Sequence, residues 1–262
     1  MSLEWDAVGY EAVSEPQTGW GANLLRLYLE RRALRGDEAV IDAGCGTGRV
    51  TELLLERLPR GTVLAVDASL AMVEAARGRF AGDGRVRVER WDLLELEVEE
   101  LVDMIFSTAT FHWIEDHPRL FGRLARALRP GGRLVAQCGG RGNIERTRAA
   151  IEEVMAEGRF KEYFAGWEDP WNFPDPETTR ARLEAAGFEE AETWMHREDA
   201  TFDTEEELAQ FVKTAVLGRH LSVLPEGEKE PFVAAVVERI SGMGSRVVDY
   251  VRLNMLAVRG SA

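Results

Sequence analysis

The stretch Val40–Arg49 reads VIDAGCGTGR, and it decides the fold of this chain of 262 residues. It runs from a short apolar segment into three glycines spaced two residues apart, Gly44, Gly46 and Gly48. Glycine lets the backbone turn sharply and lets a ligand lie directly against the main chain. A helix that begins after such a turn offers free N–H groups and the positive end of its dipole. The pattern predicts a strand, a ligand-binding turn and a helix.

Strands and helices alternate regularly around this motif. Apolar runs predict five strands, at Ala39–Ala43, Thr62–Val66, Val86–Glu89, Met104–Ser107 and Arg133–Gln137. Helical spacing predicts the segments between and before them, at about Ala22–Arg35, Val50–Leu58, Ser69–Arg79 (with Ser69 as N-cap) and Pro118–Leu128. Strands that alternate with helices at this spacing pair in parallel through right-handed crossovers, so we expect an open, doubly wound α/β sheet.

The composition limits the class of protein and the kind of partner. Apolar residues make up 45% of the chain and charged residues 30%, as in a globular protein with a sizeable core. The net charge of −14 argues against nucleic acid and anionic membranes as partners. We see neither a signal peptide nor a run of about 18 apolar residues, so we expect no membrane segment. The two cysteines, too few for a disulfide framework, predict a reducing cytoplasm.

Polar residues follow several neighbouring strands of the predicted sheet. Asp67 ends the second strand, Asp92 follows the third, and Ser107 and Thr108 close the fourth. The carboxyl ends of adjacent parallel strands form the usual crevice for a nucleotide. The glycines spell G-x-G-x-G and not the dinucleotide pattern G-x-G-x-x-G, and Asp42 just before them would repel a pyrophosphate. A carboxylate there suits an ammonium and a sulfonium group, which indicates S-adenosylmethionine.

Four motifs in this order carry a resemblance to a known family. They are the loop Asp42–Gly48, the acid Asp67, the segment Arg90–Leu93 (RWDL) and the segment Leu128–Gly132 (LRPGG). Together they resemble the class I S-adenosylmethionine-dependent methyltransferases over residues 36 to 140. The segment 111–117 (FHWIEDH), with the regions around Tyr10, Trp194 and Phe211-Val212, resembles the trans-aconitate methyltransferase group; its aromatic-His-Trp start is also similar to insect juvenile-hormone-acid methyltransferases. Both relatives esterify carboxylates.

The resemblance implies a Rossmann-like sheet of seven strands and S-adenosyl-L-methionine as cofactor, converted to S-adenosyl-L-homocysteine. Two later strands, at 190–202 and 247–258, complete the mostly parallel sheet, with helical insertions after strands 5 and 6. We divide the chain into an N-terminal flap and helix (1–35), the cofactor-binding half of the core (36–140), an insertion or lid (141–188) and the last strands (189–262), with a helical insertion at about 203–245. A monomer is the default expectation.

The resemblance also implies roles for the cofactor-binding residues. Asp42, Gly44 and Gly46 would lie at the methionine end, with Cys45 as a further cofactor-binding residue, and Asp67 would bind the ribose. Ala68 and Met72 would flank the adenine, Asp92 would accept a hydrogen bond from its amino group, and Leu93 would supply backbone, while Ser107 and Thr108 would line the crevice. Simpler interpretations remain open: Met72 as a core residue and Asp92 as a turn acid.

The predicted acceptor site contains His112 and Trp113 as catalytic residues, and Tyr10, Gln17, Trp20 and Arg219 as substrate-binding residues, with His220 beside Arg219 for a distal carboxylate. Each of them could instead be a packing or capping residue. The aromatic cluster Trp167–Phe173 is either a lid or, by our preference, the core of an insertion. No metal site is expected, since His112 and His117 lie on different helix faces.

A carboxylate with a pKa of about 4 is ionised at neutral pH and needs no general base for methyl transfer. We therefore predict O-methylation of a carboxylate. A hydroxyl, amine or carbon acceptor is the alternative, and it would make His112 a required base. Two functions outside this chemistry stay open, an NAD(P)-linked oxidoreductase and a non-catalytic sensor of S-adenosylmethionine.

Overall fold

The computed structural model describes residues 5–169 and 171–261. The strands run in chain order as β1 Ala39–Ala43, β2 Thr62–Asp67, β3 Val86–Arg90, β4 Val102–Thr108, β5 Leu128–Gly139, β6 Phe188–Arg197, β7 Ala200–Thr201, β8 Val247–Val248 and β9 Val251–Arg259. The helices are α1 Ala7–Val13, α2 Glu15–Arg31, α3 Arg49–Glu56, α4 Leu70–Arg79, α5 His117–Ala127, α6 Glu145–Met155, α7 Pro176–Ala185, α8 Glu205–Phe211, α9 Gly218–Ser222 and α10 Glu226–Gly242. Single turns of other helix types lie at Leu93–Glu95, Phe111–Trp113 and Val212–Val216.

Seven strands form one sheet in the order β3-β2-β1-β4-β5-β9-β6. The strands from β3 to β5 are parallel, and β9 lies antiparallel between β5 and β6. β1 is central, since it pairs with β2 and with β4, and Asp42 lies opposite Ala65 and Phe106. The predicted mostly parallel, doubly wound sheet of seven strands is therefore confirmed.

The parallel strands form where their apolar runs can be buried on both faces. Four of the five residues of β1 are buried, and helices cover both sides of the sheet. The helix that follows β2 begins as predicted, because Ser69 caps α4 and accepts a hydrogen bond from the N–H of Met72. The carboxyl ends of β1 to β4 therefore meet at one edge of the sheet, where their loops can share a ligand.

Three predicted segments differ in the structure. The N-terminal helix α2 begins at Glu15 and not near Ala22, since Pro16 in its first turn favours a helix start there. It also ends at Arg31, short of the predicted Arg35. The two predicted late strands are each broken: β7 and β8 separate from β6 and β9 and pair with each other as a small second sheet.

The segments inserted after β5 and β6 share a hydrophobic core of their own with the N-terminal segment. It joins α6, α8 and α10 through buried residues such as Phe164, Phe211 and Phe232, and it includes Trp20 of α2 and Tyr250 next to β9. The insertions and the N-terminal helices thus lie over the carboxyl edge of the sheet. Throughout the part of the chain that the structure describes, every helix is too short or too polar to cross a lipid bilayer.

Candidate active site

A cavity of about 320 Å³ lies between the carboxyl edge of the sheet and the elements above it. Ligand pockets in proteins measure roughly 300–1,000 Å³, so this cavity has the size of a small-molecule site. The structure places most of the predicted site residues on its lining: Tyr10, Gln17, Trp20, Gly44, Gly46, Asp67, Ala68, Met72, Asp92, Leu93, Thr108, His112, Trp113 and Arg219. Residues from the N-terminal helices, four strand ends and the second insertion thus meet at one place.

The glycine turn after β1 packs closely against its surroundings. The N–H groups of Gly44 and Cys45 donate to the carbonyl oxygen of Val66 at 2.8 and 3.0 Å. Gly44 has a φ of +82°, and a Cβ there would meet Thr110 Oγ1 at 2.1 Å. At Gly46, with a φ of +55°, a Cβ would meet nothing within 4 Å, because this glycine borders the cavity. The bare backbone at Gly46 leaves room for a ligand.

Asp67 is held at the end of β2 by two backbone groups. Its Oδ2 accepts from the N–H of Gly46 at 3.0 Å, and its Oδ1 accepts from the N–H of Ser69 at 2.9 Å. A carboxylate has about four lone-pair directions, so its oxygens can accept further hydrogen bonds from a ligand in the cavity. Asp67 therefore links the glycine turn to the start of α4 and also lines the site.

The loops after β2 and β3 make one end of the cavity apolar. Met72 and Leu93, both buried, lie beside Trp91 and Leu94. Asp92 is exposed and accepts the N–H of Leu94 at 2.9 Å, so it caps the turn and borders the cavity at the same time. Met72 can thus be a core residue and still flank the adenine, and Asp92 can be a turn acid and still face the ligand.

Three predicted cofactor contacts do not line this cavity. The carboxylate of Asp42 is buried below the turn and accepts from Thr51 Oγ1 at 2.6 Å. The hydroxyl of Ser107 donates to the carbonyl oxygen of Ala43 at 2.6 Å, so it joins β4 to β1. Cys45 borders a smaller neighbouring cavity, and burial raises the pKa of its thiol well above its usual value. The prediction of Asp42, Cys45 and Ser107 as cofactor contacts is therefore corrected for this cavity, since none of the three lines it.

Burial raises the pKa of Asp42 to about 7, an increase that the nearby Asp67 supports and the Thr51 hydrogen bond opposes. The folded protein then holds the Asp42 proton more tightly than the unfolded chain, whose ordinary value is 3.8. Stability from this group is present at low pH and is lost as the pH rises from about 4 through about 7. We expect the free energy of unfolding of the ligand-free protein to fall in this range by on the order of 2–4 kcal/mol from Asp42.

The Asp42→Asn variant keeps an oxygen acceptor for Thr51 and cannot ionise. Its free energy of unfolding, measured with urea, should exceed that of the unsubstituted protein at about pH 8, and the difference should shrink toward about pH 5. A difference that is constant between the two pH values would show that Asp42 does not titrate in this range.

His112 is buried on the turn that follows β4, and its two ring nitrogens have different surroundings. Nδ1 accepts a hydrogen bond from the N–H of Gly139 at 3.3 Å. Burial lowers the pKa of His112 well below its usual value, and the charge of Arg252 adds to this effect. The ring is therefore neutral, and its proton lies on Nε2, which has no hydrogen-bond partner among the described residues. His112 can donate a hydrogen bond into the cavity.

Aromatic residues from three parts of the chain surround His112. Trp113 packs edge-on against Trp5 with ring centroids 5.3 Å apart, and Phe173 lies 5.8 Å from the His112 ring. The backbone of Asn172 donates to the carbonyl oxygen of His112 at 2.9 Å, which ties the first insertion to this turn. Trp167, Trp171 and Phe173 pack against the insertion core, as preferred from the sequence, and Trp171 also approaches Trp113 at 6.2 Å.

The N-terminal helices contribute two polar groups and one packing residue. Burial raises the pKa of the Tyr10 hydroxyl, and the charge of Asp67 raises it further. Gln17 is buried, and its Oε1 has no hydrogen-bond partner in the described part of the chain. Trp20 is only 5% exposed and packs on Tyr250 with ring centroids 4.6 Å apart. Tyr10 and Gln17 thus present polar atoms at the cavity, whereas Trp20 packs beside it.

Sequence reasoning missed several residues that line the cavity. They are Trp5, Ser69, Trp91, Leu94, Ala109, Thr110, Ile114, Glu115, Ala215, Tyr250 and Arg252. The signal available for Arg252 was a charged residue inside the apolar run of the last strand. His220, expected beside Arg219, does not line this cavity: it is buried against Trp167 with centroids 4.3 Å apart. Within residues 5–169 and 171–261, no three His, Cys, Asp or Glu side chains are grouped to hold a metal ion.

Comparison with known proteins agrees with this geometry. Residues 40–132 match a family described as a methyltransferase domain. A trans-aconitate 2-methyltransferase of Methylobacterium nodulans is 32% identical over 201 residues, which cover 76% of this chain and 70% of that protein. One from Azoarcus is 30% identical and covers 97% of this chain and 99% of its own length. The fold is shared with a phosphoethanolamine N-methyltransferase of Haemonchus contortus bound to S-adenosylhomocysteine, with a TM-score of 0.62 and 20% identity. The match covers 97% of this chain and 57% of that chain.

Proposed function

The chain belongs to the trans-aconitate 2-methyltransferase family of S-adenosylmethionine-dependent methyltransferases, and we propose that it methylates a carboxylate of a small organic acid. S-adenosylmethionine is its cofactor, which leaves as S-adenosylhomocysteine. Trans-aconitate, for which the relatives are named, is the first acceptor to test.

The residues at the cavity fit this cofactor, which when bound supplies a methyl group on a sulfonium. Asp67 can accept from the two ribose hydroxyls in addition to its backbone hydrogen bonds, and Gly46 leaves open space beside it. Met72 and Leu93 offer apolar surfaces for the adenine, with Asp92 at its edge. Asp42 lies below the turn, so we propose that it acts without lining the site, through Thr51 and through the negative charge that the cationic cofactor favours on it when bound.

The hydrogen bond from the Gly139 N–H to Nδ1 of His112 is the observation that carries the carboxylate assignment. Its Nδ1 lone pair is used by the Gly139 N–H, and its Nε2 carries the proton, so the neutral ring has no free lone pair for the cavity. Such a histidine cannot remove a proton from a hydroxyl or amine acceptor. It can donate one hydrogen bond to an acceptor that is already ionised, which is the requirement of a carboxylate.

We propose that the N-terminal flap and the first insertion exclude water from the reacting groups. Trp5 and Tyr10 approach from the flap, and Trp171 and Phe173 approach from the insertion. A site enclosed in this way holds donor and acceptor near contact and in line, which is the main contribution of the protein to a displacement that needs no general base.

The net charge of −14 favours a small acceptor over nucleic acid, and the two free, buried cysteines support a cytoplasmic location.

The proposal is tested with methyl-labelled S-adenosylmethionine and a panel of acids that contains trans-aconitate, citrate, fatty acids and phenols. We expect label on an organic acid that mild alkali releases as methanol, because esters hydrolyse and ethers do not. The transfer rate should show no inflection from His112 between about pH 6 and pH 8, because the pKa of this residue lies well below its usual value. Label that survives alkali would overturn the carboxylate assignment.

A further inference from the structure

Arg252 at the start of β9 is the one fully buried arginine that the described residues place on the cavity. It is 1% exposed, and no aspartate or glutamate in the described part of the chain forms an ion pair with it. Its Nη2 is buried and has no hydrogen-bond partner within residues 5–169 and 171–261. A buried, unpaired charge is costly, and proteins keep one mainly where an ion binds.

The guanidinium of Arg252 is held in place by neutral groups. Its Nε donates to Oε1 of Gln137 at 3.2 Å, and its plane lies over the ring of Trp20 at 4.2 Å. The amide of Gln137 donates in turn to Asn254 Oδ1 at 2.9 Å, which fixes the amide with its oxygen toward Arg252. The positive charge is thus oriented without being neutralised, and the fork of N–H donors stays available.

The sheet order separates Arg252 from the residues proposed to hold the cofactor. Those residues follow β1, β2 and β3, whereas β9 lies three strands beyond β1 on the other side. At about 4.8 Å per strand, Arg252 lies roughly 14 Å from the glycine turn across the sheet. It pairs with Gly139, whose N–H donates to His112, so the two residues belong to the same half of the cavity.

We propose that Arg252 binds a carboxylate of the acceptor other than the one that is methylated. This inference rests on the proposed function and assigns Arg252 to the recognition of an acid with at least two carboxylates. A guanidinium on the reacting oxygen would withdraw charge from the nucleophile, whereas the neutral His112 withdraws much less. Arg219 also lines the cavity, and its buried Nε has no partner among the described residues, so a third carboxylate has a second cation available.

A guanidinium binds carboxylates in general, and the cofactor carries a carboxylate as the acceptor does. The test therefore measures both ligands for Arg252→Met, which fills similar space without charge, and for Arg252→Lys, which keeps the charge without the fork. Arg133→Met serves as the control, because Arg133 lies on the neighbouring strand β5 and does not line the cavity. Circular dichroism and the melting temperature establish that each variant is folded.

We expect Arg252→Met to raise the KM for trans-aconitate by about 100-fold, as for other truncated buried charge pairs, and to leave the Kd for S-adenosylhomocysteine unchanged. The KM of Arg252→Lys should lie between that of Arg252→Met and that of the unsubstituted protein. The KM of Arg133→Met should equal that of the unsubstituted protein. For a monocarboxylic acid that the enzyme accepts, the KM should change little in Arg252→Met. A higher Kd for S-adenosylhomocysteine with an unchanged acceptor KM would overturn the proposal and assign Arg252 to the cofactor.

Direct binding separates this inference from the proposed function. Calorimetric titration of trans-aconitate into the protein saturated with S-adenosylhomocysteine needs no methyl transfer. Binding that is present in the unsubstituted protein and lost in Arg252→Met supports the role of Arg252, even where labelled product proves stable to alkali and the carboxylate methylation fails. Equal binding by the two proteins overturns the role of Arg252, whatever the product of the reaction.

Discussion

Asp67→Ala is expected to raise the Kd for S-adenosylmethionine by at least about 100-fold, because two hydrogen bonds to a charged group are worth roughly 1.5–3 kcal/mol each. The proposed bonds to the ribose hydroxyls disappear, and so does the acceptor for the N–H groups of Gly46 and Ser69. The glycine turn and the start of α4 then lose the group that joins them. Calorimetric titration with S-adenosylhomocysteine measures the effect without turnover.

Two further variants separate the contributions of Asp67. Asp67→Asn keeps one oxygen acceptor and loses the charge, so its Kd should lie between those of Asp67→Ala and the unsubstituted protein. Asp92→Ala is the matched control at the next strand end. Its Kd should rise by at most about 10-fold, because Asp92 is exposed and a surface hydrogen bond contributes little. Binding by Asp67→Ala that equals that of Asp92→Ala would contradict the assignment of Asp67 to the ribose.

The central part of the fold was predictable because its signals are local. An apolar run such as β1 is typical of a strand buried on both faces of a parallel sheet, and the glycines after it allow the positive φ angles that the turn needs. The strands from β1 to β5 therefore lie where the alternation predicted them. The N-terminal helices are less regular in sequence, because α2 packs its apolar residues against partners on β5, β9 and α3 that are far away in the chain.

Local sequence signals predict only part of the site. The strand ends fix Asp67, Asp92 and His112 near one edge, so a local pattern finds them. The partner of Asp42 is Thr51, which lies on the following helix, and spacing alone does not show that its hydroxyl donates to Asp42. Arg252 depends on Gln137, 115 residues earlier, and a contact of that separation leaves no local pattern.

His112→Phe is expected to lower kcat/KM for the acceptor by about 100-fold, because loss of the Nε2 donor removes a hydrogen bond to a charged group, worth roughly 1.5–3 kcal/mol. His112→Gln offers an amide donor of similar reach and should keep activity within about 10-fold of the unsubstituted enzyme. Because negative charge on the acceptor decreases during transfer, the donor holds the ground state more than the transition state. The larger part of the effect should therefore appear in KM and not in kcat.

The same pair of variants distinguishes a donor from a general base. A base needs a lone pair directed at the acceptor, and glutamine has no basic nitrogen, so a base role predicts that His112→Gln is as inactive as His112→Phe. It also predicts that activity of the unsubstituted enzyme falls as the ring becomes protonated. The structure opposes both expectations, since Gly139 already uses the Nδ1 lone pair and burial keeps the pKa of His112 well below its usual value. An inactive glutamine variant with an inflection near pH 6.5 would transfer His112 to the role of base and the acceptor to a hydroxyl or amine.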